Sequence, residues 1–577
     1  MFKRLFLFII CIVLTQQSTF AYTDFYYLGN KIPAVQVDFT DTAIADAFST
    51  KVAQTGLDAY YSQKLDAFYV THPNVNNLGM NLSHNHYWST QWMFTDFMKQ
   101  SWTWYVQDTD MQKWDINSVD IPLGEYGYPL EIPYISNGKS YQVHTLMFFD
   151  NNYNDLTYPT GVYHLRFEGQ GEILLDFGDH VLTFDEANKQ HPVSIQETSD
   201  FGVNLIIKRS SKDNPIRNIS FVMPGYSETY MDNPYHPKLL KFIEPMGTLR
   251  FMKALYTEEN GNISWQNRTK PNHYTQNDME LGGLAYEYII DLCNRTGKDP
   301  WITLPHAADD TYIKELSILF ESELRNDLTL YVEYSNEPFN FLYPIYDYAI
   351  AMGQKEGIKA ESNHLIGSLY AVKRSVEIFE IMEENMDEVT FKSVLSLEYV
   401  NPEQGKAIVD GLKTRQINPN AYKVDCLAIA PYFGGEVAND IGDRITKDLS
   451  PERQFEKIED EFIKLHEELI PYYQELATAN DFELVTYEAG SHFVSLFYPE
   501  DELLVKIMKE VNSHENMYHA YMRFMKLWDK EVGGLVTYFV SIEAPNKYGD
   551  FGVIHHLNQE WSDSPKYRAL RDYYFAE

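Results

Sequence analysis

The chain has 577 residues, 44% of them aliphatic or aromatic, enough for two or three domains or for one large barrel with an attachment. Its 47 basic residues stand against 83 acidic ones, a net charge of −36. Such a surface repels phosphate backbones and anionic lipid, which argues against nucleic acid and membrane as partners.

In chain order, the first segment reads as an export signal. "MFKR" is a positive start, "LFLFIICIVL" an apolar run too short to span a bilayer, which takes roughly 20 residues, and "TQQSTFA" a small-residue cleavage region. Residues 1–21 are therefore expected to leave after Ala21, giving a protein secreted to the periplasm or the medium. Cys11 leaves with them, and Cys293 and Cys426, each inside an apolar periodic run, read as buried thiols rather than a disulfide. Residues 22–77 receive no assigned role. "NLGMNLS" reads as a short strand, and the aromatic "HNHYWSTQWMFTDFMKQSWTW" follows it, so 78–114 is taken as a first barrel strand with an aromatic segment. Its Trp88, Trp92, Trp102 and Trp104 are either ligand-facing rings or a packed helix face.

Residues 115–226 differ in texture. "YQVHTLMFFD", "GVYHLRFEG", "GEILLDFG", "PVSIQET" and "GVNLIIKRS" are short runs split by Gly, Asn, Asp and Pro, the spacing of an antiparallel β-sandwich. From 227 to 577 the pattern alternates. Strands ("GTLRFMKAL", "DPWITLPHAA", "LTLYVEYSNEP", "FKSVLSLEY", "VDCLAIAPYFGG", "FELVTYEAGSHF", "GGLVTYFVSI") are separated by amphipathic helices, the first stopped by Gly297. Apolar strands alternating with such helices imply a parallel sheet covered on both faces. Seven strands are one short of an eight-stranded barrel; either "NLGMNLS" or "ISFVMPGY" supplies the missing one, and the first choice makes the sandwich an insertion. The expected fold class is α/β, a (β/α)8 TIM barrel with an inserted or preceding antiparallel β-sandwich.

On this numbering Asn336-Glu337 ends the fourth strand and Glu488 the seventh. Barrel chemistry sits at strand C-terminal ends, so the two carboxyls face one another across the mouth. A glycosidic bond needs one carboxyl to donate a proton and another to stay ionised. At a spacing of roughly 5–5.5 Å the ionised group attacks the anomeric carbon directly; at roughly 6.5–9.5 Å it works through water. Like charges in a partly desolvated pocket raise one pKa, which prepares the acid.

"SNEP" and "YEAG" at those strand ends resemble the clan A glycoside hydrolases, retaining β-glycosidases on a (β/α)8 barrel. "NLS…YWST", "LRFM" and "PKYRAL" are similar to secreted microbial proteins of that superfamily, many described as cellulase-like or cellulose-binding. The resemblance implies Glu337 as acid/base, Glu488 as nucleophile and Asn336 as the partner of a substrate 2-hydroxyl. It also implies Arg250 as the group that keeps the nucleophile ionised, and His306 and Tyr432 as site residues on strands three and six. Clan members often end strand eight with a Trp; here "LVTYFVSIEAP" has none, and Tyr538, Phe539 or a loop residue such as Trp561 is the expected substitute.

No cofactor and no metal is expected. "HEEL" at His466 lacks the second His of a metalloprotease motif and, on a charged helix, reads as solvated surface. The expected activity is retaining hydrolysis of a β-linked polysaccharide or oligosaccharide. The other readings are a non-catalytic carbohydrate-binding protein on the same scaffold and a transglycosylase.

Overall fold

The computed structural model describes residues 23–32, 42–109, 119–148, 158–177, 180–195, 202–261, 264–443, 447–495 and 497–575; the expected export signal and its Ala21 cleavage point lie outside these. Eight parallel strands close into a barrel: β1 (Val75–Asn81), β2 (Met246–Arg250), β3 (Asp299–Leu304), β4 (Thr329–Tyr334), β5 (Thr390–Ser396), β6 (Cys426–Ile429), β7 (Glu483–Thr486) and β8 (Val536–Tyr538). The fold is a (β/α)8 barrel. "NLGMNLS" thus lies at the opening strand, while Arg217–Val222, which overlaps the rival segment "ISFVMPGY", is a strand of an antiparallel sheet.

The strands between Tyr105 and Val222 form two antiparallel sheets, of six and three strands, inserted after β1. They pack face to face through rings: Phe148 of the larger sheet lies 6.2 Å from Tyr163 of the smaller, and Tyr163 stacks at 5.0 Å on Phe221 beside it. Ahead of the barrel, a four-stranded sheet and the helix Thr42–Ala53 enclose a separate small core of Phe25, Phe48, Val52 and Phe68.

The sequence punctuates this architecture with proline and glycine. Proline stands in the first turn of the helices Pro237–Ile243, Pro344–Lys355, Pro402–Leu412, Pro451–Glu461 and Pro565–Tyr574, where its missing N–H costs no helix bond. Gly297, at φ 69°, closes the helix Tyr286–Thr296. The barrel interior is a distinct cluster that includes Trp301, Tyr331, Val394, Cys426, Ala428, Val485, Tyr487 and Leu535. Where β8 meets β1, Gly79 is required by space, because a Cβ there would stand 2.5 Å from Thr537 Oγ1.

Two features bear on sequence expectations. Cys293 and Cys426 are free and buried, as their apolar surroundings require. His466, by contrast, is fully buried rather than solvated: a π turn at Phe462–His466 rotates it inward, and its Nδ1 lies 2.8 Å from the Tyr399 phenol. No helix among the described residues is long and apolar enough to cross a membrane.

Candidate active site

Period-two alternation carries Tyr331 and Glu333 of β4 into the barrel and Tyr334 outward, where its phenol donates to the His306 carbonyl at 2.7 Å. The backbone then leaves the strand geometry. Ser335 and Glu337 have φ of 59° and 41°, left-handed values that non-glycine residues seldom adopt. Ser335 N–H still bonds the Leu304 carbonyl at 3.0 Å, and the turn is closed by Asn340 N–H on the Glu337 carbonyl at 2.8 Å. Such conformations persist only where the surroundings over-determine them, and they cluster at functional sites. The turn also sets the Asn340 side chain to donate to Glu337 Oε2 at 2.7 Å.

Arg250, at the end of β2, is fully buried and is the hub of the barrel mouth. Its Nη1 donates to Glu488 Oε1 and to Asn81 Oδ1, both at 2.9 Å. Nη2 donates to Asn336 Oδ1 at 2.8 Å and to Glu333 Oε2 at 2.9 Å, and Nε reaches the same Glu333 oxygen at 3.2 Å. The guanidinium carbon lies 5.2 Å from the Tyr487 ring centroid and 5.6 Å from that of Trp301, whose indole N–H donates to Glu333 at 3.1 Å. One cation thus ties strands one, two, four and seven together. Its fork is what allows this, since a lysine cannot present donors in so many fixed directions.

The two strand-end carboxyls receive different partners. Glu488 has the Arg250 cation on one oxygen and the Tyr432 phenol, at 3.0 Å, on the other. Among the described residues Glu337 accepts from neutral donors, Asn340 and the Tyr487 phenol, each at 2.7 Å. Burial raises the Glu337 carboxyl above the usual carboxylate range, opposed by the hydrogen bonds from Asn340 and Tyr487. Burial also pushes Glu488 up to about 8; Arg250 opposes this and the neighbouring Glu337 adds to it. Burial and the adjacent carboxylates hold the Tyr432 and Tyr487 phenols well above their usual range, so both remain donors. The carboxyls interact and titrate as a pair. When the pair holds a single proton, the negative charge is favoured on Glu488, which faces the cation, and the proton on Glu337.

Of the residues singled out in the sequence, Glu337, Glu488, Asn336, Arg250 and Tyr432 converge on this network. His306 does not join it: its ring packs edge-on at 5.2 Å against Tyr348, and burial lowers its pKa. Tyr538 is not brought to the mouth either. The β8 register pairs Thr537 with Gly79 on the interior, so Tyr538 points outward, stacked at 5.9 Å on Tyr521 with its phenol 3.5 Å from that of Tyr574. Trp561 lies with the helices, 5.7 Å from Phe242. Phe539 is the strand-eight ring that faces the cleft, 4.9 Å below the Lys253 ammonium and 6.3 Å from Tyr432. Burial works against the Lys253 charge, but Glu543 and then Glu258 outweigh it and raise the pKa.

Sequence reasoning missed Asn81, Glu333, Trp301, Asn340 and Tyr487. Glu333 did carry a signal: a lone acid inside a strand buried on both faces needs a buried partner.

No protein-family model and no curated protein matches the chain. Solved structures similar to it include a mutant of Xylanase10C from Cellvibrio japonicus in complex with xylopentaose, at 10% identity and TM-score 0.33, over 82% of this chain and 97% of that one. They also include an arabinofuranosidase from Xanthomonas axonopodis pv. citri, at 9% identity and TM-score 0.32, over 54% and 61% of the two chains. A third is a β-glucosidase from Thermotoga maritima in complex with castanospermine, at 12% identity and TM-score 0.31, over 59% and 86%.

Proposed function

We propose that the protein is a secreted retaining glycoside hydrolase that cleaves a β-linked polysaccharide. The observation that supports this most directly is the asymmetry of the buried pair: Glu488 shares a hydrogen-bonded ion pair with Arg250, while Glu337 accepts from the neutral Asn340 and Tyr487. In the first step the Glu337 carboxylic acid gives its proton to the glycosidic oxygen as the bond from that oxygen to the anomeric carbon breaks. Glu488 attacks the same carbon and forms a glycosyl ester. In the second step water attacks the anomeric carbon, its proton passes to the Glu337 carboxylate, and the ester bond to Glu488 breaks. Two inversions give net retention.

Arg250 and Tyr432 keep Glu488 anionic before attack and release charge density to the new bond as it forms. Asn336 has its carbonyl end tied to Arg250, so its N–H2 end is the one to meet a 2-hydroxyl, a bond that tightens in an oxocarbenium-like transition state.

The test is a panel of β-linked polysaccharides with reducing-end detection, run on the parent and on Glu337→Ala and Glu488→Ala. Both variants are expected to stay folded and lose turnover. Azide is expected to restore turnover to Glu488→Ala with an α-glycosyl azide as product. Variants that retain the parent's rate on a substrate it cleaves refute the assignment, and inverted stereochemistry in the parent's product refutes the double displacement.

A further inference from the structure

The segment that leaves β1 carries an aromatic row. In "HNHYW", His84 stacks at 5.2 Å on His86, and His86 lies 3.8 Å from Trp88, which the turn closed by Ser89 N–H on the His86 carbonyl at 2.8 Å brings alongside it. The row begins three residues past Asn81, which Arg250 holds. At its inner end His84 meets the Tyr256 ring at 4.8 Å. At its outer end Trp88 lies 5.7 Å from Trp102, on the stretch that leads into the sandwich. The Trp102 backbone N–H is fixed to the Leu146 carbonyl of the larger sheet at 2.8 Å.

The four tryptophans of this region divide sharply. Trp92 is 2% exposed. Trp104 stacks on Tyr274 at 4.7 Å and spends its indole N–H on the Gly127 carbonyl at 2.8 Å. Both are packing residues. Trp88 and Trp102 are 37% and 40% exposed and their rings lie 5.7 Å apart, so together they make one open aromatic patch rather than scattered apolar residues. Burial, and then Lys253, lower the pKa of both histidines, so the row carries no charge at neutral pH.

We propose that this row is a binding platform for a neutral stretch of the glycan chain, running from the carboxylates out onto the inserted sandwich. The inference rests on the glycosidase reading and names the substrate class of the same cleft. Flat rings at successive positions suit the C–H faces of sugars with equatorial hydroxyls, and neutral imidazoles serve as donor or acceptor to those hydroxyls. An anionic glycan is disfavoured, since the row offers no cation of its own and the surface is strongly acidic.

The experiment uses the full chain carrying Glu337→Gln, which binds without turning over. Affinities for cello-, xylo- and manno-oligosaccharides, from disaccharide to hexasaccharide, are measured by calorimetry, alone and with Trp88→Ala, Trp102→Ala or the corresponding Phe substitutions. The platform requires affinity to rise with chain length in the Glu337→Gln background. Each Ala substitution then flattens that rise, with a loss of about tenfold for the longest chains, and each Phe substitution keeps most of it. A length dependence that survives both Ala substitutions overturns the platform while leaving the glycosidase reading intact. Absence of both binding and cleavage across the panel removes the glycosidase reading and the platform with it. Far-UV circular dichroism and thermal midpoints matching the background establish that a flattened series reflects the lost rings.

Discussion

Tyr487→Phe isolates one hydrogen bond of the site. It deletes the phenol that donates to Glu337 Oε1 at 2.7 Å and keeps the ring that lies 5.2 Å from the Arg250 guanidinium. The phenol bond stabilises the ionised form of Glu337 and, with the Asn340 hydrogen bond and the Arg250 charge, holds its pKa down against burial. Removing it therefore raises the pKa further. A hydrogen bond to a charged group contributes about 1.5–3 kcal/mol, and one pKa unit corresponds to about 1.4 kcal/mol, so the expected rise is about one to two units. If Glu337 is the general acid, activity is lost where it ionises, and the basic limb of kcat/KM against pH moves upward by that amount. The assay is kcat/KM on the polysaccharide that the parent cleaves, taken across the basic limb. Because kcat/KM reports the free enzyme, and the two carboxyls titrate together, the limb is a property of the pair. A limb that stays in place, or moves to lower pH, refutes the assignment of Glu337 as the acid with Tyr487 as its donor.

Arg250→Met removes the cation of the hub and, among the described residues, leaves buried Glu333 with the Trp301 N–H as its remaining donor. Breaking a buried pair from one side costs about 3–5 kcal/mol, seen as a lower denaturant midpoint at unchanged slope, and activity is lost with it. Glu488→Gln tests linkage: with both carboxyls raised by burial, the folded pair keeps one proton, carried on Glu337, that the unfolded chain has released, so parent stability falls as pH rises from 4.5 to about 8. The thermal midpoint of Glu488→Gln should gain on the parent from pH 4.5 to about 8 and then run parallel; a constant difference refutes the raised pKa. Tyr432→Phe removes a donor from the nucleophile and should lower kcat by about tenfold or more, whereas His306→Ala, which touches neither carboxyl, should change it by less than about threefold. Steady-state kinetics on one substrate compares the two.

The strand ends were legible because their cause is local. A β-branched and aromatic run that stops at a polar pair identifies the mouth of a barrel, and two such stops on strands four and seven identify a pair of carboxyls. The network behind them was not legible, because it depends on which face each residue takes, and register is a tertiary property. Tyr538 shows this most clearly. It stands next to Phe539 and is as aromatic, yet the pairing of Thr537 with Gly79 turns Tyr538 toward the helices. The tight fit of Thr537 against Gly79 excludes any larger residue at Gly79, so this glycine is what the β1–β8 seam closes on. At Glu337 the same parity rule fails in the opposite direction. Two left-handed residues, a serine and a glutamate with no preference for that region, break the alternation just where the strand ends. Nothing in a propensity scale announces them. They are held by the Ser335 bond to β3 and by the Asn340 turn, contacts that exist only once the barrel has closed. Closure of the barrel is therefore what aims the acid, and substitutions that loosen the β1–β8 seam or the Asn340 turn should reduce turnover before they reduce the ability to bind glycan.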